Sequence, residues 1–292
     1  MPEPRLMIEE TLGPGAEIAL EEGQARHVGT VLRLDAGDAV RVFNARDGEW
    51  RARVSGKSKR GMNVRVEEKL RQPRAAPDLE LLFAPVKRHA TDLIVEKATE
   101  LGVARIRPVI TQRTIAETVR VDRLAAIARE AAEQTERFDA PEIFEAVSLA
   151  RALDGWDAAR PLIYADEAGD DESAPWGGER GRGVPLLDAL KTSPLAGEVA
   201  AKRPEGGRSN EQAPERLNAP HPPNPAPRGG GGVALLIGPE GGFTPEERRM
   251  LRGLAYVVPV SLGPRILRAE TAVIAALSVI QSAWGDWGHD SA

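Results

Sequence analysis

Two stretches hold residues whose types and spacing suit chemistry: "LLIGPEGGFTPEE" (235–247) and "SLGPRILRAETA" (261–272). In each, an apolar run breaks at glycine and proline and then restarts as a helix. In the first, the break runs through Gly238, Pro239, Glu240, Gly241 and Gly242. Thr244 is placed as an N-cap, Pro245 suits the first helical position, and Glu247 closes a Thr-x-x-Glu capping box. Such a strand, loop and helix offers free backbone N–H groups and close backbone approach, which is why these turns bind nucleotides. No G-x-x-x-x-G-K-[ST] and no G-x-G-x-x-G occurs here, and Glu240 would repel a pyrophosphate. A ligand with an adenosine part and a positive or neutral centre fits better, S-adenosylmethionine with its sulfonium being one. A capped turn with no ligand is the other reading.

The elements around these loops alternate as a parallel sheet requires. "LELLFAPV" reads as a strand covered on both faces, "HATDLIVEKATELG" as an amphipathic helix ending at Gly102, and "VARIRPVI" as the next strand. Helix "VDRLAAIAREAAEQTER", strand "EIFEAV", a short helix and strand "PLIYAD" continue the α/β pattern. Ligands in open parallel sheets lie outside the carboxyl ends of the strands, so loops 238–242 and 263–270 are expected to face one pocket. Leu262, Ile266 and Leu267 would line an adenine slot, with backbone groups supplying the polar contacts. The helix after Glu270 is apolar nearly all round and is expected in the core or against a second subunit.

Residues 1–70 read differently, as short strands with turns at Asp35 to Asp38 and Asp47–Gly48: a small antiparallel β-barrel. "HVGTVLRL" counts among these strands. From Arg51 to Arg65 the charged residues are all basic, Arg51, Arg53, Lys57, Lys59, Arg60 and Arg65. Together with His27 and Arg33 they form a candidate RNA face; a solvated surface strip is the alternative. A linker is expected near 70–76 and a second domain over 76–292. Asp170 to Gly232, crowded with Pro, Gly and polar residues, is expected to be an irregular insertion. Its wording resembles translated palindromic repeat elements inside bacterial genes.

Composition bounds the function. The chain has 292 residues, 41% hydrophobic and 28% charged, ample for two globular domains. Zero cysteines exclude disulfides and thiolate sites, and four scattered histidines, His27, His89, His221 and His289, argue against a metal. No apolar run nears about 20 residues and "MPEPRLMIEE" is no signal peptide, so a cytoplasmic protein without a membrane segment is expected. The net charge of −5 argues against indiscriminate nucleic-acid binding but leaves room for a local basic face.

Taken together, "IGPEGGFTPEE", "SLGPRILRAETA", "EKATELGV", "EAAEQTERFDAPEI" and "HVGTVLRLDAGD" resemble the RsmE family of ribosomal RNA uridine N3-methyltransferases, in the SPOUT superfamily. The resemblance spans the chain except 170–232. It implies an N-terminal PUA-like β-barrel (1–70) and a SPOUT-type α/β domain (76–292) whose end forms a trefoil knot. S-adenosylmethionine would be held by Leu236, Ile237, Gly238, Pro239, Glu240, Gly241 and Gly242, and by Ser261, Leu262, Gly263, Ile266 and Leu267. It further implies a homodimer acting on 16S ribosomal RNA or the small ribosomal subunit. In that setting Arg268 would stabilise charge on the uracil oxygens and Glu270 would accept the N3 proton. An RNA phosphate contact or an ion pair with Glu270 is equally open for Arg268. A non-catalytic RNA-binding protein, a methyltransferase of another RNA, and a phosphate-binding hydrolase remain the alternatives.

Overall fold

The computed structural model describes residues 3–58, 61–115, 118–171, 173, 177–178, 180–192 and 232–287. Lys59 and Arg60, and residues 193–231 of the expected insertion, lie outside the described residues. The chain divides into two compact units, Met1–Ala76 with Val121–Glu142, and Pro77–Arg120 with Ile143–Ala292.

The first unit is built on a five-stranded sheet, ordered β1-β3-β4-β5-β2. Its strands are β1 (Arg5–Met7), β2 (Glu17–Ala19), β3 (Ala39–Asn44), β4 (Gly48–Ser58) and β5 (Gly61–Arg71). β1 runs parallel to β3 and the other pairs are antiparallel. Val40 and Val42, Ala52 and Val54, and Met62, Val64 and Val66 point into one core with Leu6 and Ile18, the period-two pattern expected of half-buried strands. "HVGTVLRL" is not a strand. Helix α1 (Glu22–Arg26) runs on into a π-helical turn, His27–Val31, in which Val28 alone is buried. Val31 and Leu32, three and four residues after Val28, stay exposed.

Helix α3 (Val121–Gln134), expected within the second domain, groups instead with the first unit. Arg5 explains this. Its guanidinium, 8% exposed as a residue, donates to the carbonyls of Ala132, Glu133 and Arg137 at 3.2, 3.0 and 3.0 Å, and to Glu49 at 2.7 Å. The Met7 amide adds a bond to Glu133 at 2.9 Å. Burial alone would raise the Glu49 carboxyl, but hydrogen bonds from Arg71 and Arg5 hold it below the usual carboxylate range.

The second unit is a parallel sheet. Its strands are β6 (Leu79–Phe83), β7 (Arg105–Ile110), β8 (Glu142–Ile143), β9 (Val147–Ser148), β10 (Leu162–Ala165), β11 (Val184–Pro185), β12 (Val233–Ile237) and β13 (Val257–Ser261). Their order is β11-β13-β10-β12-β6-β7-β8, with β9 also on β7. Helices α2 (Arg88–Glu100), α4 (Leu149–Leu153), α5 (Leu186–Thr192), α6 (Pro245–Arg252) and α7 (Ala269–Trp284) complete it. Every residue of β6 and β10 is buried, the mark of strands covered on both faces. Helix α2 ends as expected, with Gly102 at φ +78 just past it. The Gln281 amide of α7 donates to Leu101 O at 2.5 Å and ties the two helices together.

The expected insertion begins too early. β11 pairs with β13 at Val184 and Pro185, and α5 follows with Leu186, Ala189 and Leu190 buried. The three- and four-residue spacing of those side chains is a helical stripe, masked in the sequence by the glycines before it. Leu190→Ala is therefore expected to destabilise the unit by about 2–5 kcal/mol. Excision of 195–230, whose large aliphatic side chains are Leu195, Val199 and Leu217, should leave the melting temperature within a few degrees. Thermal unfolding of both variants checks this; equal losses would contradict it.

Candidate active site

Three strand ends meet at the carboxyl edge of the parallel sheet. β12 feeds Ile237, Gly238, Pro239 and Glu240 into a slot, and β13 feeds Leu262, Gly263, Arg265, Ile266 and Leu267 into it. β10 contributes Ala165, Asp166 and Glu167, and Ala269 and Ala272 of α7 close the back.

The first loop is shaped from both ends. The Thr244 amide donates to Glu247 Oε2 at 2.9 Å, and the Glu247 amide donates to Thr244 Oγ1 at 3.3 Å, so the capping box forms as read. The other Glu247 oxygen takes the Gln112 amide at 2.8 Å, which docks loop 111–114 on the start of α6. Arg113 then donates to Gly241 O at 2.8 Å. A side chain at Gly238 would stand 2.6 Å from the Phe243 ring, which packs edge-on against Tyr164 with centroids 5.1 Å apart. Gly242 has φ +65, and a Cβ there would stand 3.0 Å from Glu167 Oε1. In the second loop Gly263 has φ +111, and its amide donates to Ser261 Oγ at 3.2 Å.

Asp166 anchors the β10 edge. Only 1% exposed, its side chain accepts from Arg248 Nε at 3.0 Å and lies 2.7 Å from Arg252 Nη2. The same two arginines reach the carbonyls of Ala168 and Gly169 and the Asp170 carboxylate, fixing 166–170 on α6. Next to it Glu167 faces the slot. Burial, then the neighbouring Asp166 charge, push its carboxyl up, against its own backbone N–H and the more distant Arg248 and Arg182.

The structure thus brings Ile237 to Glu240 together with Leu262, Gly263, Ile266 and Leu267. Leu236 is fully buried in the sheet core, so only its backbone can serve the slot. Gly241, Gly242 and Ser261 shape the loops from outside the lining. Arg268 is the exposed N-cap residue of α7 and Glu270 lies in its first turn; neither lines the slot, and no ion pair joins them among the described residues. Arg265, three residues earlier, is the cation in the lining and was not picked out from sequence. Asp166 and Glu167 were also missed, since two carboxylates after a strand form no local motif. Among the described residues no group of His, Asp and Glu is arranged to hold a metal.

Three residues of the basic strip are paired. Arg51 pairs with Glu3 and Glu68, Arg53 with Glu67 at 3.1 Å, and Lys57 with Asp35 at 2.7 Å. Glu67 and Glu68 come two and three residues after Arg65, and the antiparallel register sets Glu68 opposite Arg51. Arg26, His27 and Arg33 are exposed around the π-helical turn beside Val31 and Leu32, and form no ion pair with a described residue. Arg33 has φ +58, a conformation costly for a residue with a side chain.

The chain matches the family described as "RNA methyltransferase domain" over residues 73–181 and 204–281. It belongs to the RNA methyltransferase family. Residues 20–67 match the companion RNA methyltransferase PUA domain, so the first unit is PUA-like. Among curated relatives of this family, ribosomal RNA small subunit methyltransferase E of Rickettsia conorii is 29% identical over 95% of this chain and 94% of its own. The Bacillus subtilis protein of the same name is 25% identical over 88% and 86%. A putative methyltransferase from Legionella pneumophila, solved in complex with the bound cofactor SAM, superposes with a TM-score of 0.72 at 29% identity, covering 98% of this chain and all of that one. Ribosomal RNA small subunit methyltransferase E from Neisseria gonorrhoeae shares the fold at 23% identity and a TM-score of 0.71, covering 98% of this chain and 99% of that one.

Proposed function

We propose that this RNA methyltransferase uses S-adenosylmethionine to methylate N3 of a uridine in 16S ribosomal RNA of the small subunit, in the cytoplasm. The observation that carries the cofactor is the slot itself, where two glycine-shaped strand ends meet over apolar side chains and three carboxylates, Asp166, Glu167 and Glu240. Close backbone approach at Gly238 and Gly242, an adenine-sized apolar wall at Leu262, Ile266 and Leu267, and the absence of a phosphate-binding lysine suit a cationic adenosine ligand. The names of the curated relatives carry the RNA target. A calorimetric titration should show binding of S-adenosylmethionine and none of ATP. The reverse result would make the slot a phosphate site and the proposal wrong.

When bound, the cofactor supplies an activated methyl group, so this chain's work is positioning and charge. Backbone amides of the two loops and the apolar wall fix the ligand, and alignment with the uracil nitrogen supplies much of the acceleration. Loss of the N3 proton puts negative charge on the uracil oxygens. Arg268, exposed at the start of α7, would stabilise that charge and Glu270 would take the proton. Arg265, inside the lining, would hold the cofactor's carboxylate. Accordingly Arg268→Ala should lose turnover by a factor on the order of 10² to 10³ at unchanged cofactor affinity. Arg265→Ala should do the opposite, weakening cofactor binding with a smaller change in kcat. Steady-state kinetics with cofactor titrations separate the two; loss of RNA affinity alone in Arg268→Ala would make it a phosphate anchor.

Two finer features belong to the same reading: a SPOUT-type trefoil knot around the two loops, and a homodimer. Seven of the sixteen residues of α7 are buried in this chain, and light scattering measures the oligomeric state. The RNA face is proposed at Arg26, His27 and Arg33, where exposed polar side chains, two of them arginines, flank exposed Val31 and Leu32, in place of the paired Arg51, Arg53 and Lys57. Arg26→Ser with Arg33→Ser should reduce the slope of log affinity against log salt by about 1.4 to 1.8, from two lost phosphate contacts. Arg51→Ser with Arg53→Ser should change it far less, and equal slopes in the two variants would contradict this placement.

A further inference from the structure

Glu167 has a position that nothing in the reaction above uses. It follows β10, lines the slot, and sets one carboxylate oxygen against the Gly242 turn. Among the described residues no side chain hydrogen-bonds that carboxylate. Its neighbour Asp166 takes Arg248 and Arg252 for itself. The sequence therefore places a second carboxylate in the slot and gives its arginines to the first.

A carboxylate so placed is poorly compensated while the slot holds no cation, and a positive ligand centre beside it repairs that deficit. S-adenosylmethionine differs from its product in one respect that bears on charge: the sulfonium becomes a neutral thioether when the methyl leaves. We propose, resting on the cofactor reading above, that Glu167 reads this charge and makes the slot prefer the cationic methyl donor over the neutral-sulfur product. A residue in this role binds rather than reacts. It favours exchange of spent cofactor for fresh donor.

The groups around Glu167 narrow what else could produce the effect. Asp166 precedes it, Arg248 faces it from α6, Arg182 from the segment before β11, and Glu240 and Arg265 share the slot from the two loops. Glu240 is the remaining carboxylate of the lining, and it stays in place when Glu167 alone is changed. With burial raising the Glu167 carboxyl, its charge is present above its raised folded pKa and lost as pH falls through it. The preference for the cation should weaken in the same direction.

Calorimetry on the full chain tests the proposal with three ligands: S-adenosylmethionine, S-adenosylhomocysteine, and sinefungin, which carries an ammonium where the donor has its sulfonium. Glu167→Gln, close to isosteric, should weaken S-adenosylmethionine and sinefungin about tenfold, the effect of one lost charge pair partly screened by water, and leave S-adenosylhomocysteine within about twofold. Glu167→Ala should show the same selectivity, and the thermal midpoint of each unliganded variant reports whether it folds. Acidification should shrink the wild-type preference and leave that of Glu167→Gln flat. Equal weakening of all three ligands, or of none, overturns the role given to Glu167 while the cofactor reading stands. A wild-type chain that binds none of the three overturns both.

Discussion

Gly242→Val is expected to weaken S-adenosylmethionine binding by more than about 100-fold, because two penalties coincide at one residue. A β-branched residue at φ +65 costs roughly 1–3 kcal/mol of backbone strain, and each 1.4 kcal/mol transferred to the binding equilibrium is tenfold. The new side chain would also meet Glu167 Oε1 at 3.0 Å at its first carbon, with two methyl groups still to place. Relief requires the turn or Glu167 to shift, and both border the slot. Gly241 offers the internal control. Its φ lies outside the left-handed region, and a Cβ would meet Arg113 at an ordinary 3.4 Å. Gly241→Ala should therefore bind the cofactor within a few fold of wild type. Calorimetry on the pair checks the claim, and similar affinities for both variants would detach the Gly242 turn from the site.

Asp166→Ala should cost about 3–5 kcal/mol of stability, the range found when one partner of a buried ion pair is removed and its cations are left behind. The side chain is 1% exposed and is shared by two guanidinium groups that also hold Ala168, Gly169 and Asp170. For a unit of this size that corresponds to a fall in melting temperature on the order of 10 °C. Asp166→Asn keeps an acceptor and should lose less. A cofactor that binds the folded form alone should restore part of the loss by mass action. Differential scanning calorimetry measures both. A change below about 1 kcal/mol in Asp166→Ala would show that water can take over from the carboxylate and that the arginine clamp does not hold the slot edge.

What was legible in the sequence was local. The capping box of Thr244 and Glu247, the glycine breaks after two apolar strands, and the end of α2 at Gly102 each depend on residues a few positions apart. What escaped was set by distant partners. Asp166 is fixed by Arg248 and Arg252 from another part of the chain, so its role cannot be read from its neighbours. Arg5 captures α3 across more than a hundred residues, which moves that helix into the first unit. The basic run looks unpaired when read from Arg51 to Arg65, because its carboxylates lie on either side of it, at Glu3 and Asp35 and at Glu67 and Glu68. "HVGTVLRL" reads as a strand, but the helix before it runs on as a π-helical turn over His27–Val31, with Val28 the buried residue.

The central claim is that the slot at the ends of β10, β12 and β13 delivers a methyl group to uridine N3 of small-subunit RNA. The most direct test is to incubate the purified chain with labelled S-adenosylmethionine and small-subunit RNA or particles from a strain lacking this modification, digest the RNA, and identify the labelled nucleoside. The account predicts N3-methyluridine, abolished by Gly242→Val. Label in any other nucleoside, or N3-methyluridine formed equally well by Gly242→Val, would contradict it.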